Sequence, residues 1–292
     1  MKIINKTMDS NDLKTNDAKK VINELIELNK HFTENNCIIS SWVGRCNPTK
    51  YEIKVSIANK GYNYKPIVDN YDFDMKYPNF LLWETYWIFK NLKPKKGDTL
   101  LDIGGACSLF SFYMASKGIK VVAIDINKEI VDNANLYAKK MGLDYTAICA
   151  DGDEYLKNTC DKYDFITSIC VIEHIEINKR KNMIRNIYKH LNKNGKVGFT
   201  FDYKNPEKFV GINNPQNIKE HFLDNTNLEM LENKNFYDNN INYLVSKFYY
   251  KPIIWHHKIS DIRRHNFPIT ELFKTKKEND YTFGAIFLKR KK

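Results

Sequence analysis

Three aspartates stand at or just past the ends of short apolar runs: Asp102 in Leu100-Leu101-Asp102-Ile103, Asp125 after Val121-Val122-Ala123-Ile124, and Asp151 after Cys149-Ala150. Asp102 is followed by Gly104 and Gly105. That spelling predicts a tight turn in which a ligand can lie against bare backbone, ahead of a helix. Two common ligands of such turns are excluded by spacing. A dinucleotide fingerprint, G-x-G-x-x-G, fails from Gly104 because of Ala106 and Leu109, and from Gly105 because of Cys107 and Phe110. A phosphate loop fails because no Gly-Lys-Ser/Thr follows. A carboxylate at Asp102 would repel a pyrophosphate and suits an ammonium group. Asp125 lies about 20 residues beyond the turn, where a carboxylate accepts hydrogen bonds from ribose hydroxyls. Asp151 can accept one from an adenine amino group.

These acids act together only if the runs that carry them are neighbours in one sheet. From Thr99 the chain alternates strand and helix. Strands are expected over Thr99–Ile103, Ile119–Ile124, Tyr145–Cys149, Tyr163–Ile169 and Lys196–Tyr203. Helices are expected over Leu109–Ser116, from Asn127 to about Met141, and over Asn178–Leu191. Strands that are apolar throughout and alternate with helices predict a parallel sheet covered on both faces. Ligands bind such sheets at the carboxyl ends of the strands, where the three acids fall.

Other segments are read more coarsely. Residues 1–16 are polar and expected to fray. A helix is expected from Asp17 to about His31, a half-buried strand over Tyr51–Ile57, a loop over 59–78, and a helix over Asn79–Leu92. Beyond the core come a short helix over Asn217–Leu223, a strand over Leu228–Leu231, an aromatic and basic stretch over 232–278, and a strand over Tyr281–Leu288. The expected organisation is an N-terminal α+β extension over 1–78, a core over 79–231, a substrate-recognition insertion over 232–278, and a final strand with a basic tail over 279–292.

Leu100–Gly118 resembles motif I of the class I S-adenosylmethionine-dependent methyltransferases. Val121–Asp125 resembles their motif II, Cys149–Gly152 motif III, Asp164–Ile175 motif IV, and Leu191–Tyr203 their fifth-strand region. The resemblance covers about residues 98–203 and is similar to the small-molecule, quinone-type branch. It implies an α/β, doubly wound, Rossmann-like seven-stranded sheet with S-adenosyl-L-methionine as cofactor. Carried over position by position, it implies cofactor binding by Asp102, Gly104, Gly105, Asp125, Ile126, Asp151, Gly152 and Cys170. The family's D-x-G-x-G-x-G is spelled here with Ala106 and Ser108 and an extra glycine at 105. A related group binds metal through an E-x-x-E-H segment; Cys170 replaces the first glutamate here, leaving Glu173 and His174, so no metal is expected.

The implied reaction is methyl transfer to oxygen or nitrogen of a small-molecule or sugar-containing acceptor. Such a displacement draws most of its rate from positioning in a dry site. A base is needed only for a hydroxyl or a protonated amine. His174, just past the fourth strand, is the candidate base; the alternative is a histidine that orders its loop. Asp202, Tyr203 and His221 are weaker candidates. Trp83, Glu84 and Tyr86, on the helix before the core, either touch the cofactor or pack on the sheet. Phe248–His257 with Arg263 and Arg264 is a candidate acceptor lid.

The 292 residues carry 46 Lys and Arg against 35 Asp and Glu, a formal net charge of +11. The charge is diffuse, with no Asp/Asn-Pro-Pro-aromatic motif, no Pro-Cys motif and no RNA-binding module, which disfavours nucleic acid as partner. A nucleic-acid methyltransferase and a non-catalytic cofactor-binding protein remain the alternatives. No apolar run approaches the ~20 residues of a membrane span. Met1–Asn5 is too short and polar for a secretory signal, so a cytoplasmic location is expected. The six cysteines are scattered with no C-x-x-C pair, which argues against zinc sites and disulfides alike. Nothing in the sequence indicates an oligomeric state.

Overall fold

The apolar runs become adjacent strands in the computed structural model, which describes residues 2–35, 37, 39, 79–205, 211–245 and 279–291. In chain order the elements begin with β1 (Lys6–Thr7), α1 (Asn16–Glu34), α2 (Asn79–Leu92), β2 (Thr99–Ile103), α3 (Leu109–Ser116) and β3 (Lys120–Asp125). They continue with α4 (Lys128–Lys140), β4 (Tyr145–Cys149), α5 (Gly152–Asn158), β5 (Tyr163–Ile169), α6 (Ile177–Ile187) and β6 (Leu191–Tyr203). The last are α7 (Pro215–Phe222), β7 (Leu228–Met230), β8 (Tyr243–Val245) and β9 (Asn279–Arg290).

The sheet runs β4-β3-β2-β5-β6-β9-β1, with β7 and β8 also pairing on β9. Strands β2 to β6 are mutually parallel, and β9 is antiparallel to β6. The order reverses between β2 and β5, which is the switch point of a doubly wound α/β sheet. Strands β2 to β7 and β9 supply the seven expected; β1 and β8 are additions on β9. In register, Asp102 stands opposite Ala123 and Asp125 opposite Cys149, so the acid-bearing ends lie side by side.

Sequence accounts for the layers. Helix α3 is buried from Leu109 to Ala115 because it lies between the sheet and α1. Its Phe112 packs on Phe32 of α1 at 4.6 Å and on Tyr145 of β4 at 4.8 Å. Helix α4 buries only Val131, Ala134 and Ala138, one stripe, and is capped by Asn127. The opposite face of the sheet is covered through Met183, Ile184 and Ile187 of α6 and Ile218 and Phe222 of α7.

Several expectations change. Residues 2–14 are held down rather than frayed. Ile4, Met8 and Leu13 are buried, and so is Asn5. The Ile4 and Asn5 amides donate to Asn233 Oδ1 at 2.9 and 3.1 Å, Asn5 Nδ2 donates to the Leu231 carbonyl at 2.7 Å, and Asn5 Oδ1 accepts from the Phe287 amide at 2.6 Å. Polar residues that serve a buried backbone look, in sequence, like polar residues in water. Strand β6 starts at Leu191 rather than Lys196, with an irregularity in its pairing between Tyr163 and Phe165 that absorbs Asn194-Gly195. Helix α6 ends at Ile187, and residues 188–190 form a 3-10 turn. The expected strand over 51–57, the loop over 59–78 and the candidate lid with Arg263 and Arg264 lie outside the described residues. Among the described residues no helix is long and apolar enough to cross a membrane.

Candidate functional site

At the carboxyl ends of β2, β3 and β4 a cavity of about 380 Å³ opens between the sheet and α6. Gly104, Asp125, Ile126, Asp151 and Gly152 line it from the strand ends; Val171, His174, Lys179 and Met183 line it from the other side. Gly104 has a φ of +76°, and a Cβ there would meet the Val171 side chain at 2.5 Å. The glycine therefore keeps the turn close to the wall of the cavity. Asp125 accepts the Asn127 amide at 2.9 Å, and its partial burial raises its pKa. Beside it, Ile126 is 77% exposed, an apolar side chain at the cavity mouth over which a flat ring can lie. Asp151 caps α5 by accepting the Asp153 amide at 2.9 Å, while its Oδ2 stands 3.7 Å from Lys179 Nζ. An incoming amino group would compete with Lys179 for this carboxylate.

Asp102 does not line the cavity. It is 1% exposed, and its oxygens accept hydroxyls from Thr167 at 2.7 Å, from Ser108 at 3.5 Å and from Ser111. Burial pushes its pKa up to about 6, with the three hydroxyls opposing. Gly105 explains the extra glycine. A Cβ at that position would collide with Asp102 Oδ2, so the turn folds directly over the carboxylate. The expectation that Asp102 faces a ligand is revised on this geometry: the aspartate ties β2, β5 and the start of α3 together beneath the turn. Ser108 serves as the N-cap of α3, accepting the Ser111 amide at 3.0 Å. Ala106 is buried among the core residues.

A second group of polar side chains lies at the ends of β5 and β6. Cys170 follows β5 with a φ of +53°, and its amide donates to Thr200 Oγ1 at 3.1 Å. Donor atoms of Cys170, Glu173 and Asp202 lie within 4.8 Å of one another. Glu173 Oε1 accepts the Asp202 amide at 3.2 Å, and Asp202 Oδ2 accepts Asn205 Nδ2 at 2.6 Å. Glu84 joins them from α2, wholly buried, its pKa raised by burial and by the charges of Glu173 and Asp202. Burial likewise pushes the Cys170 thiol up, with Glu84 and Glu173 adding to the shift. Cys170 and Gly105 are thus absent from the cavity lining, whereas the other expected cofactor contacts apart from Asp102 are in it.

His174 lines the cavity, half exposed, with Nε2 3.9 Å from Glu173 Oε1. His221 is buried on α7, and its pKa is lowered to about 4 by desolvation and by Arg180 and Lys181. Tyr203 donates to Asp238 at 3.3 Å, away from the cavity. Trp83 donates to Asp12 at 2.8 Å and Tyr86 pairs with Thr15 at 3.1 Å, so both bind α2 to the N-terminal segment. Of the three α2 candidates, only Glu84 reaches the sheet's functional edge. Sequence reading missed Thr200 and Asn205: Thr200 lies in the fifth-strand region but nothing there singles it out, and Asn205 lies just beyond it.

Comparison with known proteins adds three findings. Residues 100–195 match the family model for a methyltransferase domain. The chain is 27% identical over 124 residues to the ubiquinone biosynthesis O-methyltransferase of Aeromonas salmonicida, covering 42% of this chain and 51% of that one. It is 35% identical over 97 residues to the protein of the same name from Rickettsia typhi, covering 33% of this chain and 37% of that one. The match thus spans about half the length, or less, of these curated relatives. Among solved structures, TehB from Haemophilus influenzae aligns with a TM-score of 0.48 at 19% identity, over 70% of this chain and 61% of that one.

Proposed function

We propose that this chain, whose residues 100–195 match the family model for a methyltransferase domain, is a class I, S-adenosylmethionine-dependent enzyme that transfers a methyl group to a hydroxyl oxygen of a small-molecule acceptor. The observation that carries the reading is the cavity at the ends of β2, β3 and β4, where Gly104, Asp125, Ile126 and Asp151 meet. Relatives named as O-methyltransferases support oxygen as the receiving atom.

The residues fit S-adenosylmethionine. When bound, the cofactor supplies a sulfonium methyl; an acceptor lone pair forms the new C–O bond as the C–S bond breaks and a neutral thioether leaves. Asp125 would accept hydrogen bonds from the ribose hydroxyls, Ile126 would cover the adenine ring, and Asp151 would take its amino group. Gly104 leaves its backbone bare beside Val171. Asp102 would act on a bound cofactor through the turn it holds, as a buried negative charge beneath Gly104 and Gly105. His174, at the cavity mouth, takes the acceptor hydroxyl proton, and Glu173 beside it steadies the resulting imidazolium.

The test combines calorimetry with turnover. S-adenosylmethionine binds the wild type, and Asp125→Ala weakens that binding by at least tenfold. Labelled cofactor is then offered with phenols, sugars and amines, and products are weighed by mass spectrometry. His174→Ala lowers turnover about 10²-fold with cofactor affinity unchanged. Unaltered affinity in Asp125→Ala removes the cofactor reading; products methylated only on nitrogen remove the oxygen assignment.

A further inference from the structure

A second cavity, of about 450 Å³, lies at the opposite end of the sheet from the first. The strands place it there: β5 begins at Tyr163, β6 begins at Leu191 and β9 ends at Arg290. Lys162, Leu191, Asn192, Lys193, Arg290 and Lys291 line it, so that among the described residues four cations and no carboxylate share one concavity. The irregular pairing of β6 builds one wall. Tyr163 stands opposite Leu191 and Phe165 opposite Lys196, so Asp164 alone faces the four residues 192–195. The surplus loops out. Gly195 permits this, because a Cβ there would lie 3.0 Å from the Asn192 nitrogen and the Tyr163 carbonyl oxygen. Asn192 pins the loop by donating to Asp164 Oδ1 at 2.7 Å, and the Thr99 amide and hydroxyl occupy Asp164 Oδ2. On the other wall Arg290 donates to the Leu191 carbonyl, while its Nε has no acceptor. Lys291 Nζ donates to the Thr226 carbonyl at 2.7 Å. Lys162 and Lys193 are exposed and form no ion pair among the described residues.

We propose that this cavity binds a phosphate-type oxyanion carrying two or more negative charges. Four cations held around one hollow repel one another, and a multivalent anion between them turns that repulsion into attraction. A guanidinium offers a planar fork of donors to phosphate oxygens, and lysines add point charges. Two of the cations are already oriented by backbone carbonyls, which lowers the entropy lost on binding. Among the described residues Leu191 is the one apolar side chain in the lining, and no aromatic ring is there to stack a base. Recognition therefore rests on the phosphates, whether free as diphosphate or at the end of an ester. The ligand ties the starts of β5 and β6 to the end of β9, a constellation absent from the unfolded chain, so it raises thermal stability as it binds.

The full chain is titrated by calorimetry with sodium diphosphate and with uridine diphosphate, at one ionic strength and without divalent metal. One equivalent of diphosphate is expected, with a rise in the thermal unfolding temperature. Lys162→Gln and Lys193→Gln, both exposed and outside the cofactor cavity, each weaken binding about fivefold, with unfolding of the ligand-free variants unchanged. Arg290→Lys keeps the charge but loses the fork, and weakens binding further. Uridine diphosphate binding more tightly than diphosphate assigns the site to phosphate esters; equal or weaker binding assigns it to the free anion. No saturable uptake, or uptake unchanged in both lysine variants, overturns the proposal. So does displacement of diphosphate by S-adenosylmethionine, or tighter binding of a single-stranded oligoribonucleotide through the same lysines. Uptake needs neither the cofactor nor methyl transfer, so its failure and that of the proposed activity are read separately.

Discussion

Asp102 illustrates how one residue can mark a cavity in the sequence without lining it. Its spacing from Gly104 is legible in sequence, and so are Asp125 and Asp151, because each follows an apolar strand. The burial of its carboxylate is not legible, since the hydroxyls that receive it come from Ser108, Ser111 and Thr167 on two other elements. A pH dependence follows. The carboxyl has a pKa of about 6 when folded against 3.8 as a free group. Between those values the folded protein holds a proton that the unfolded chain has lost. Stability therefore falls as pH rises from about 4 to about 6 and levels off above, by up to about 3 kcal/mol from this group. Glu84, also raised, adds in the same direction. Urea unfolding across this range should show the slope, and Asp102→Asn should remove its share. An equal slope in the variant would place the buried proton elsewhere.

At the level of elements, helices and parallel strands are read from periodicity because each is a local pattern with its own stop signal. Two features escape that reading for the same physical reason. The acidic group near Cys170 is assembled from residues 84, 170, 173 and 202, with no short-range spacing to betray it. The segment Ile4–Met8 is bound by asparagines on a distant stretch, so its sequence resembles a solvated tail. Asn5 and Asn233 make the joint: Asn233 accepts two amides and donates to the Asn5 carbonyl at 3.1 Å. Asn5→Ala leaves the Phe287 amide and the Leu231 carbonyl without their partner, at about 1–3 kcal/mol for each buried group. The expected result is a destabilisation of about 3 kcal/mol in urea titration, with S-adenosylmethionine affinity little changed because the cavity lies at the strand ends.

Across the whole molecule, β9 is the strand on which distant segments converge. It pairs with β6 along one edge and with β1, β7 and β8 along the other. Residues 6–7 lie opposite 284–285, so the beginning of the described chain is stitched to its end. This has a consequence for biosynthesis. Lys6 and Thr7 leave the ribosome long before their partners exist; at about 5–20 residues per second the wait is roughly 15–55 s. During that interval Ile4, Met8 and the indoles of Trp83 and Trp87 have no lid, and the outer edge of β6 is open to other chains. Nascent chains arrested before Asn279 should remain cut by protease within residues 2–14, and those extended past Arg290 should resist. Protection in the shorter chains would mean that the N-terminal segment can settle without β9. Strand β9 is thus the clasp that closes β1, and its synthesis sets the hour at which this sheet stops being vulnerable.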